Sequence, residues 1–457
     1  MSDVPKGWEW ARLDEVAEVR LGRQRSPKNH TGSQLRPYLR AANVGWQGLR
    51  LDDVKMMNFT DKEAEIYRLK YGDIVVAEAS GSPGEVGKPA LWHDEIEGCC
   101  LQNTLIRVRS SGAVEPSYLL HFIRAEALRG AFAEKSRGVG IYHLGSARLA
   151  EWAIPVPPLS EQHRIVADVE ANISHLDAGI DLLADIEHRL SLMSTSLRVD
   201  LLALDDETSE WKEVSIGEIA TSVQNGCFVS RPGSTPNGVA ILRVGAVRSL
   251  HLDLNDIRYS GLTSSELRKS GRLLEAGDML FTRYNGNPNY VGACAVVPLL
   301  NRDLTYPDKL IRVKIDTAVA DPEFVAIACS SGKSRVQIRG LAKTTAGQAG
   351  ISGRELKTVR MHLPSLNVQN QIAKRYNEII SNILCLRDIV GSRVRQSAKL
   401  RRSLLREAFV GRLVPQDSND EPASVQLARI RAERTVQPKA RRTRRTSKKS
   451  DEQGSLL

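Results

Sequence analysis

No apolar run in this sequence approaches the roughly 18–20 residues that a membrane-spanning helix requires. Nor does Met1–Pro5 offer a basic region followed by an apolar one, so no signal peptide is expected. Cysteine is sparse. Cys99, Cys100, Cys227, Cys294, Cys329 and Cys385 form no C-x-x-C pair and have no histidines at zinc-finger distances. This pattern excludes a disulfide framework and reads as free thiols in a reducing cytoplasm. The nine histidines are scattered, with no pair at metal-binding spacing, so no metal site is expected.

Look-alikes of catalytic motifs fail on spacing. Asn287-Pro288-Asn289-Tyr290 resembles the N-P-P-[YF] signature of adenine methyltransferases, but Asn289 stands where a proline is needed. No glycine-rich cofactor loop accompanies it, and a turn is expected there. Gly87-Lys88-Pro89 and Gly332-Lys333-Ser334 resemble phosphate-binding loops. Ser82 and Ile327 occupy the places where the leading glycine would stand, and the first loop also lacks the magnesium-binding hydroxyl. Pro307-Asp308-Lys309 resembles half of a nuclease core, without the second half. A non-catalytic chain is expected.

What is present is charge, unevenly placed. The formal net charge is +10. Residues 429–449 hold ten Lys or Arg and one acid, about +9, so the other residues carry only about +1. A basic, disordered tail over 415–457 is expected, with the folded body nearly neutral.

The chain also repeats itself. Trp8 to Ala17 matches Trp211 to Ala220 at an offset of 203, and Tyr38-Leu39-Arg40 matches Ile241-Leu242-Arg243 at the same offset. Gly72-Asp73-Ile74 and Leu105-Ile106-Arg107-Val108 match Gly277-Asp278-Met279 and Leu310-Ile311-Arg312-Val313 at 205. Val156 to Gln162 matches Leu363 to Gln369 at 207. Each repeat opens with about 150 residues of mixed α and β character. Strands are expected at Leu39–Val44, Asp73–Ala77, Leu105–Val108, Met279–Thr282 and Leu310–Val313.

A helix then follows the Pro155–Pro158 stop, with Ser160 as the expected N-cap. Apolar residues recur at steps of three or four from Ile165 to Leu201, and from Ile372 to Ala408 with a polar break at Ser397. That is a coiled-coil seam. Neither helix would be stable alone in water, so the two are expected to pair antiparallel. A helix of about 45 residues spans roughly 65–70 Å, about two turns of B-DNA. Two related heads on such a spacer would suit two short sequences separated by a fixed gap. The fold class expected is α+β: two mixed α/β heads separated by two long antiparallel helices, with a pseudo-two-fold repeat.

These residues resemble the specificity subunits of Type I restriction–modification systems. The resemblance rests on Trp8, Leu13 and Glu15 with Trp211, Ile216 and Glu218; on the Gly-Asp-[Ile/Met] strand starts; on the Leu159-Ser160-Glu161-Gln162 boundary; and on Leu404 to Pro415. The second boundary departs from it, with Val368 for Glu161 and Gln371 for Arg164. The resemblance implies target-recognition domains at 1–158 and 206–365, spacer helices at 159–205 and 366–414, and a prokaryotic cytoplasmic protein. It implies double-stranded DNA, two methyltransferase subunits and restriction subunits as partners. S-adenosylmethionine, ATP and Mg²⁺ would be used by those partners, with no cofactor in this chain.

Candidate DNA-reading residues are expected in loops that mix basic residues with amides, hydroxyls and aromatics. In the first head these are Arg23, Gln24, Arg25 and Lys28; Ser80 and Ser82; and Arg137 with Tyr142 and His143. In the second they are Arg231; Arg283, Tyr284, Asn285 and Asn287; and Lys343 with Gln348. The loops recur at equivalent places in the repeat, but their sequences diverge. Two other readings stay open at this stage: a stand-alone DNA-binding regulator, and a scaffold whose heads bind protein. Arg393, Arg395, Lys399, Arg401, Arg402 and Arg406 on the second helix read as a solvated face or a partner surface.

Overall fold

The computed structural model describes residues 4–26, 31–135, 140–203, 211–345 and 348–436. The chain divides into two compact units, Met1–Asp181 with Arg393–Leu457, and Leu182–Ser392. Each unit holds one head and a stretch of both long helices, Leu159–Ala203 and Leu366–Phe409.

In the first head the central sheet is antiparallel, in the order Ala17–Leu21, Leu105–Ser110, Ile74–Ala77, Pro89–Leu91. Its inner strands are apolar at most positions because both faces are covered, with Arg107 a buried exception. Ile74, Val76, Ile106 and Val108 join the larger core with the helix Pro116–Leu128. Val75, Ala77 and Leu105 point the other way, into a second core with Leu39 and Trp92. Beyond lies a small sheet, in which Leu35–Leu39 pairs parallel with Cys100–Leu101 and antiparallel with Lys55–Asn58.

The second head repeats this strand for strand. Ala220–Asn225, Leu310–Ile315, Met279–Thr282 and Cys294–Val296 form the central sheet. Ala240–Leu242 pairs parallel with Leu304–Thr305 and antiparallel with Ile257–Tyr259. The strand expected over Leu39–Val44 ends at Leu39. A short 3-10 turn, Ala41–Asn43, follows because the Asn43 side chain accepts from the Arg40 amide and donates to the carbonyls of Arg50 and Asp53.

Each long helix leaves its head through a buried glutamine. Gln162 accepts from the Glu115 amide at 2.8 Å and donates to the carbonyls of Pro157 and Ala113 at 2.9 and 3.2 Å. Gln369 does the same, accepting from the Asp321 amide at 2.8 Å and donating to Pro364 and Val319 at 2.8 and 3.4 Å. Ser160 is not the N-cap. The helix already begins at Leu159, and the Gln162 amide donates to the carbonyl of Pro158. Glu161 does not cap either: it is buried and accepts the Trp8 indole N–H at 3.0 Å. In the second repeat Val368 leaves the equivalent indole nitrogen of Trp211 buried without a partner.

The pairing of the helices is antiparallel. Within the first unit Asp177 pairs with Arg401, while Ile165 and Val169, earlier in the first helix, share a core with Leu405 and Ala408, later in the second. Arg387–Glu187 at 3.1 Å ties them within the second unit. The seam is narrower than the sequence suggests. Ile186, Met193, Leu386, Val394 and Leu400 are exposed, because a two-helix contact covers only one stripe of each helix.

The expected disordered tail is corrected for its first part. Ala423–Val436 is a helix whose Ala423, Leu427 and Ile430 are buried in the core of the first head. Arg164–Asp420 at 2.6 Å and Arg431–Glu15 at 3.4 Å anchor it. Its apolar residues at steps of four and three supplied a core-facing stripe that the surrounding charge concealed. The remainder, 437–457, lies outside the described residues.

His121, on the helix Pro116–Leu128, is buried beside Arg124 and 3.6 Å from Glu170. Burial, and after it the Arg124 charge, push its pKa down to about 3 from 6.5. A histidine held neutral in the fold favours the unfolded state once that state takes up a proton. Stability of the first unit is therefore present above pH 6.5 and lost as pH falls from 6.5 towards 3, by up to about 1.4 kcal/mol per unit from this group. Denaturant midpoints at pH 7 and pH 5 should differ more in the natural chain than in His121→Leu; equal differences would refute the assignment.

Candidate nucleic-acid interface

The antiparallel registers put three chain segments at one end of each central sheet. Leu21 lies opposite Ile106, Ala77 opposite Leu105, and Pro89 opposite Val76. The segment after Leu21, the segment after Ala77 and the turn before Leu105 therefore leave from the same end. In the second head Asn225 opposite Ile311 and Thr282 opposite Leu310 give the same result. The long helix starts at the other end, where Gln162 grips Ala113 and Glu115 just past Ser110.

The second and third predicted loops are brought together in both heads. Ala79–Ser80 pairs with Tyr142–His143, Tyr142 opposite Ser80 and His143 opposite Ala79. His143 Nδ1 lies 3.1 Å from Glu78 Oε2. Ser82 is exposed at the tip, its amide donating to Ser80 Oγ at 3.1 Å. In the second head Tyr284–Asn285 pairs with Gln348–Gly350, which pairs in turn with Lys343–Thr345. Asn285 and Asn287 accept from the amides of Asn287 and Asn289 at 2.9 and 3.0 Å, which stiffens the loop. Gln348 is exposed, as is Lys343, 3.1 Å from Glu355.

Two of the predicted arginines face inward. Arg23 pairs with Glu63 at 2.6 Å, donates to the Asn58 carbonyl at 2.6 Å and stacks over Phe59. Arg283 donates to the Asp308 carbonyl at 3.3 Å and stacks on Tyr284 with 4.7 Å to the ring centroid. Arg23 thus serves the fold of its loop, and Arg283 aims the Tyr284 ring. Gln24, Arg25 and Arg231 are exposed. Lys28 and Arg137 lie outside the described residues. Sequence reasoning missed Phe228, which is 80% exposed on the first loop of the second head; a search for donors and acceptors passes over a phenyl ring.

The look-alike motifs are built into the fold. Pro288–Tyr290 is the expected turn, braced by Arg335 donating to the Asn289 carbonyl at 2.6 Å and by Arg248 over the Tyr290 ring. Ser334 Oγ donates to the Arg360 carbonyl at 2.9 Å, and Lys88 pairs with Glu85. Among the described residues no His, Cys, Asp or Glu cluster is placed to hold a metal ion, and no helix is long and apolar enough to cross a membrane.

The first loop is pinned in both heads by a glycine. A Cβ added at Gly226 would sit 2.2 Å from the Tyr306 carbonyl oxygen, and one at Gly22 2.2 Å from that of Gln102. Backbone cannot yield by that much without moving the loop. Gly226→Ala should therefore weaken recognition through the second head alone by at least tenfold, and Gly22→Ala through the first alone. Binding of half-site-mutated duplexes would check this, and unchanged affinity for both would refute the pin.

Like frameworks carrying unlike polar loops, joined to long paired helices, define a two-headed recognition protein. Residues 5–189 match the Type I restriction modification DNA specificity domain. The chain is 29% identical over 467 residues to the Type I restriction enzyme EcoKI specificity subunit of Escherichia coli K12, covering 97% of this chain and 99% of that one. It is 26% identical to the StySPI specificity subunit of Salmonella potsdam, over 95% and 96% of the two chains. A chain solved in work on complex assembly and conformational transition of the type I R-M system superposes with a TM-score of 0.69 at 20% identity, covering 90% of this chain and all of that one. Over nearly its whole length the chain is thus similar to Type I restriction enzyme specificity subunits, and its first head matches their DNA specificity domain. The regulator and scaffold readings are not favoured by these relatives.

Proposed function

We propose that this chain is the DNA sequence-specificity subunit of a Type I restriction–modification complex, reading an asymmetric bipartite site with a fixed gap. The observation that carries this reading is the pair of matching frameworks whose loops, at one end of each sheet, differ in most of their side chains. Matching frameworks present loops in the same way, and unlike loops suit unlike half-sites. The near-neutral body leaves phosphate contacts to local groups such as Arg25, Arg231 and Lys343. Exposed apolar residues on the long helices, Leu182, Leu192, Leu384 and Ile389 among them, support docking of protein partners.

Those partners are two methyltransferase subunits and, in the full complex, restriction subunits. S-adenosylmethionine, ATP and Mg²⁺ are used by them, with adenine N6 methylation and ATP-dependent cleavage carried in those chains. The test is long-read detection of methylated adenine in host DNA with and without this gene. Loss of one gapped, asymmetric motif is expected. An unchanged methylome in cells shown to express the methyltransferase partners would overturn the reading.

A further inference from the structure

The first loop of each head departs from the sheet through the same three hydrogen bonds. Gly22 N donates to the Leu105 carbonyl at 3.0 Å, Arg23 N to Leu101 at 2.8 Å, and Asn103 N to Arg23 at 2.9 Å. Their counterparts are Gly226 to Leu310 at 3.2 Å, Cys227 to Tyr306 at 2.8 Å, and Asp308 to Cys227 at 2.9 Å. Arg23 and Cys227 each make a parallel bridge, to Gln102 and Pro307. Their side chains turn inward, Arg23 to Glu63 and Cys227 to the Thr305 hydroxyl at 3.5 Å. In extended chain the next side chain points the opposite way. That residue is Gln24 in the first head and Phe228 in the second, and both are exposed.

We propose that this position is a specificity-determining contact in both heads, with Phe228 reading the 5-methyl edge of a thymine and Gln24 reading a base through its amide. The inference rests on the function proposed above and adds the residue and the base chemistry. In both heads the residue just before this position is fixed by backbone bonds on a sheet end, and a reading group needs a fixed root. It lies at the end of the sheet where the other candidate loops gather. A phenyl ring has no donor or acceptor, so the base edge it can recognise in the major groove is the apolar methyl of thymine. An amide in the same place suits an adenine edge. One structural position thus carries different chemistry in the two heads, as an asymmetric site demands. An 80% exposed phenylalanine contributes little to the core, so its presence on this stem calls for another account.

The test uses the full chain assembled with its methyltransferase partners and duplexes bearing the bipartite motif. Each thymine of the second half-site is replaced singly by deoxyuridine, which removes only the methyl group. One position is expected to weaken binding about fourfold, the weight of one buried methyl. Phe228→Ala should show that loss already on the thymine duplex and no further loss with deoxyuridine, at an unchanged unfolding midpoint. Gln24→Ala should alter discrimination in the first half-site only. Unchanged binding by Phe228→Ala overturns the proposal. So does an equal loss on thymine and deoxyuridine duplexes that leaves the deoxyuridine effect in place, which would mark a wedge between base steps. If the unaltered complex does not prefer the bipartite duplex to a scrambled one, the recognition reading itself has failed.

Discussion

Replacing Gln162 by alanine is expected to lower the unfolding temperature of the first unit by roughly 10 °C. The side chain has no solvent exposure and makes three hydrogen bonds across the junction of head and helix. Its removal strands the Glu115 amide and the carbonyls of Ala113 and Pro157 in a dry place. Each buried, unpaired polar group costs about 1–2 kcal/mol, so about 3–6 kcal/mol is at stake. In a unit of this size one kcal/mol shifts the midpoint by about 2–4 °C. Gln369→Ala should act likewise on the second unit, slightly less, because one of its bonds is long at 3.4 Å. Gln162→Met keeps the volume and loses the bonds, so it should cost nearly as much. A methionine variant as stable as the natural chain, measured by calorimetry, would show that packing rather than hydrogen bonding holds the junction.

That glutamine also shows how much could be read from sequence. The Leu-Ser-Glu-Gln boundary marks a helix start that the structure places at Leu159. Its mechanism is not legible, because Ser, Glu and Gln in a first turn look like caps. Only the folded chain reveals that Glu161 serves Trp8, and Gln162 the turn after the central strand. Those partners lie 153 and 49 residues away, beyond any local pattern. The repeat was legible for a different reason. Both copies must fill the same two-sided sheet, so apolar runs and glycines recur in register. The strand error at Leu39–Val44 came from side-chain hydrogen bonds of Asn43, which override an extended apolar pattern.

The candidate site was legible in part. Loops were found because glycine and polar residues interrupt apolar runs at matching places. Which side chains point outward was not legible. From sequence Arg23 is a candidate DNA contact, but alternation about a pinned backbone turns it toward Glu63 and Asn58. The same alternation turns out Phe228, a residue type that composition alone assigns to a core.

Arg107→Met and Arg312→Met are each expected to destabilise their own head by about 2–3 kcal/mol and to impair the matching half-site. Both arginines are buried on the central strand and tie it to the second layer. Arg107 donates to the carbonyls of Ile66 and Arg68 at 3.0 and 3.1 Å and to Glu18 at 3.0 Å. Arg312 donates to the Leu273 carbonyl at 2.9 Å and to Gln224 at 2.8 Å, with Asp278 at 3.7 Å. Burial lowers the pKa of Arg107, yet guanidinium stays charged at any ordinary pH. Its removal leaves the Ile66 carbonyl without its donor, while the Arg68 carbonyl keeps Arg109 at 3.2 Å and the half-exposed Glu18 keeps Arg20 at 2.7 Å. In the second head the main side-chain partner is a neutral amide, and Asp278 keeps Lys314 at 3.8 Å and the Glu275 amide at 2.9 Å. In both heads the loss is one buried carbonyl bond and one side-chain partner that keeps another contact, so the two costs should be similar. Chemical denaturation of both variants, read with a probe in each head, should give comparable losses; a loss for Arg107→Met larger by more than about 2 kcal/mol would mean that its ion pair with Glu18 carries the effect.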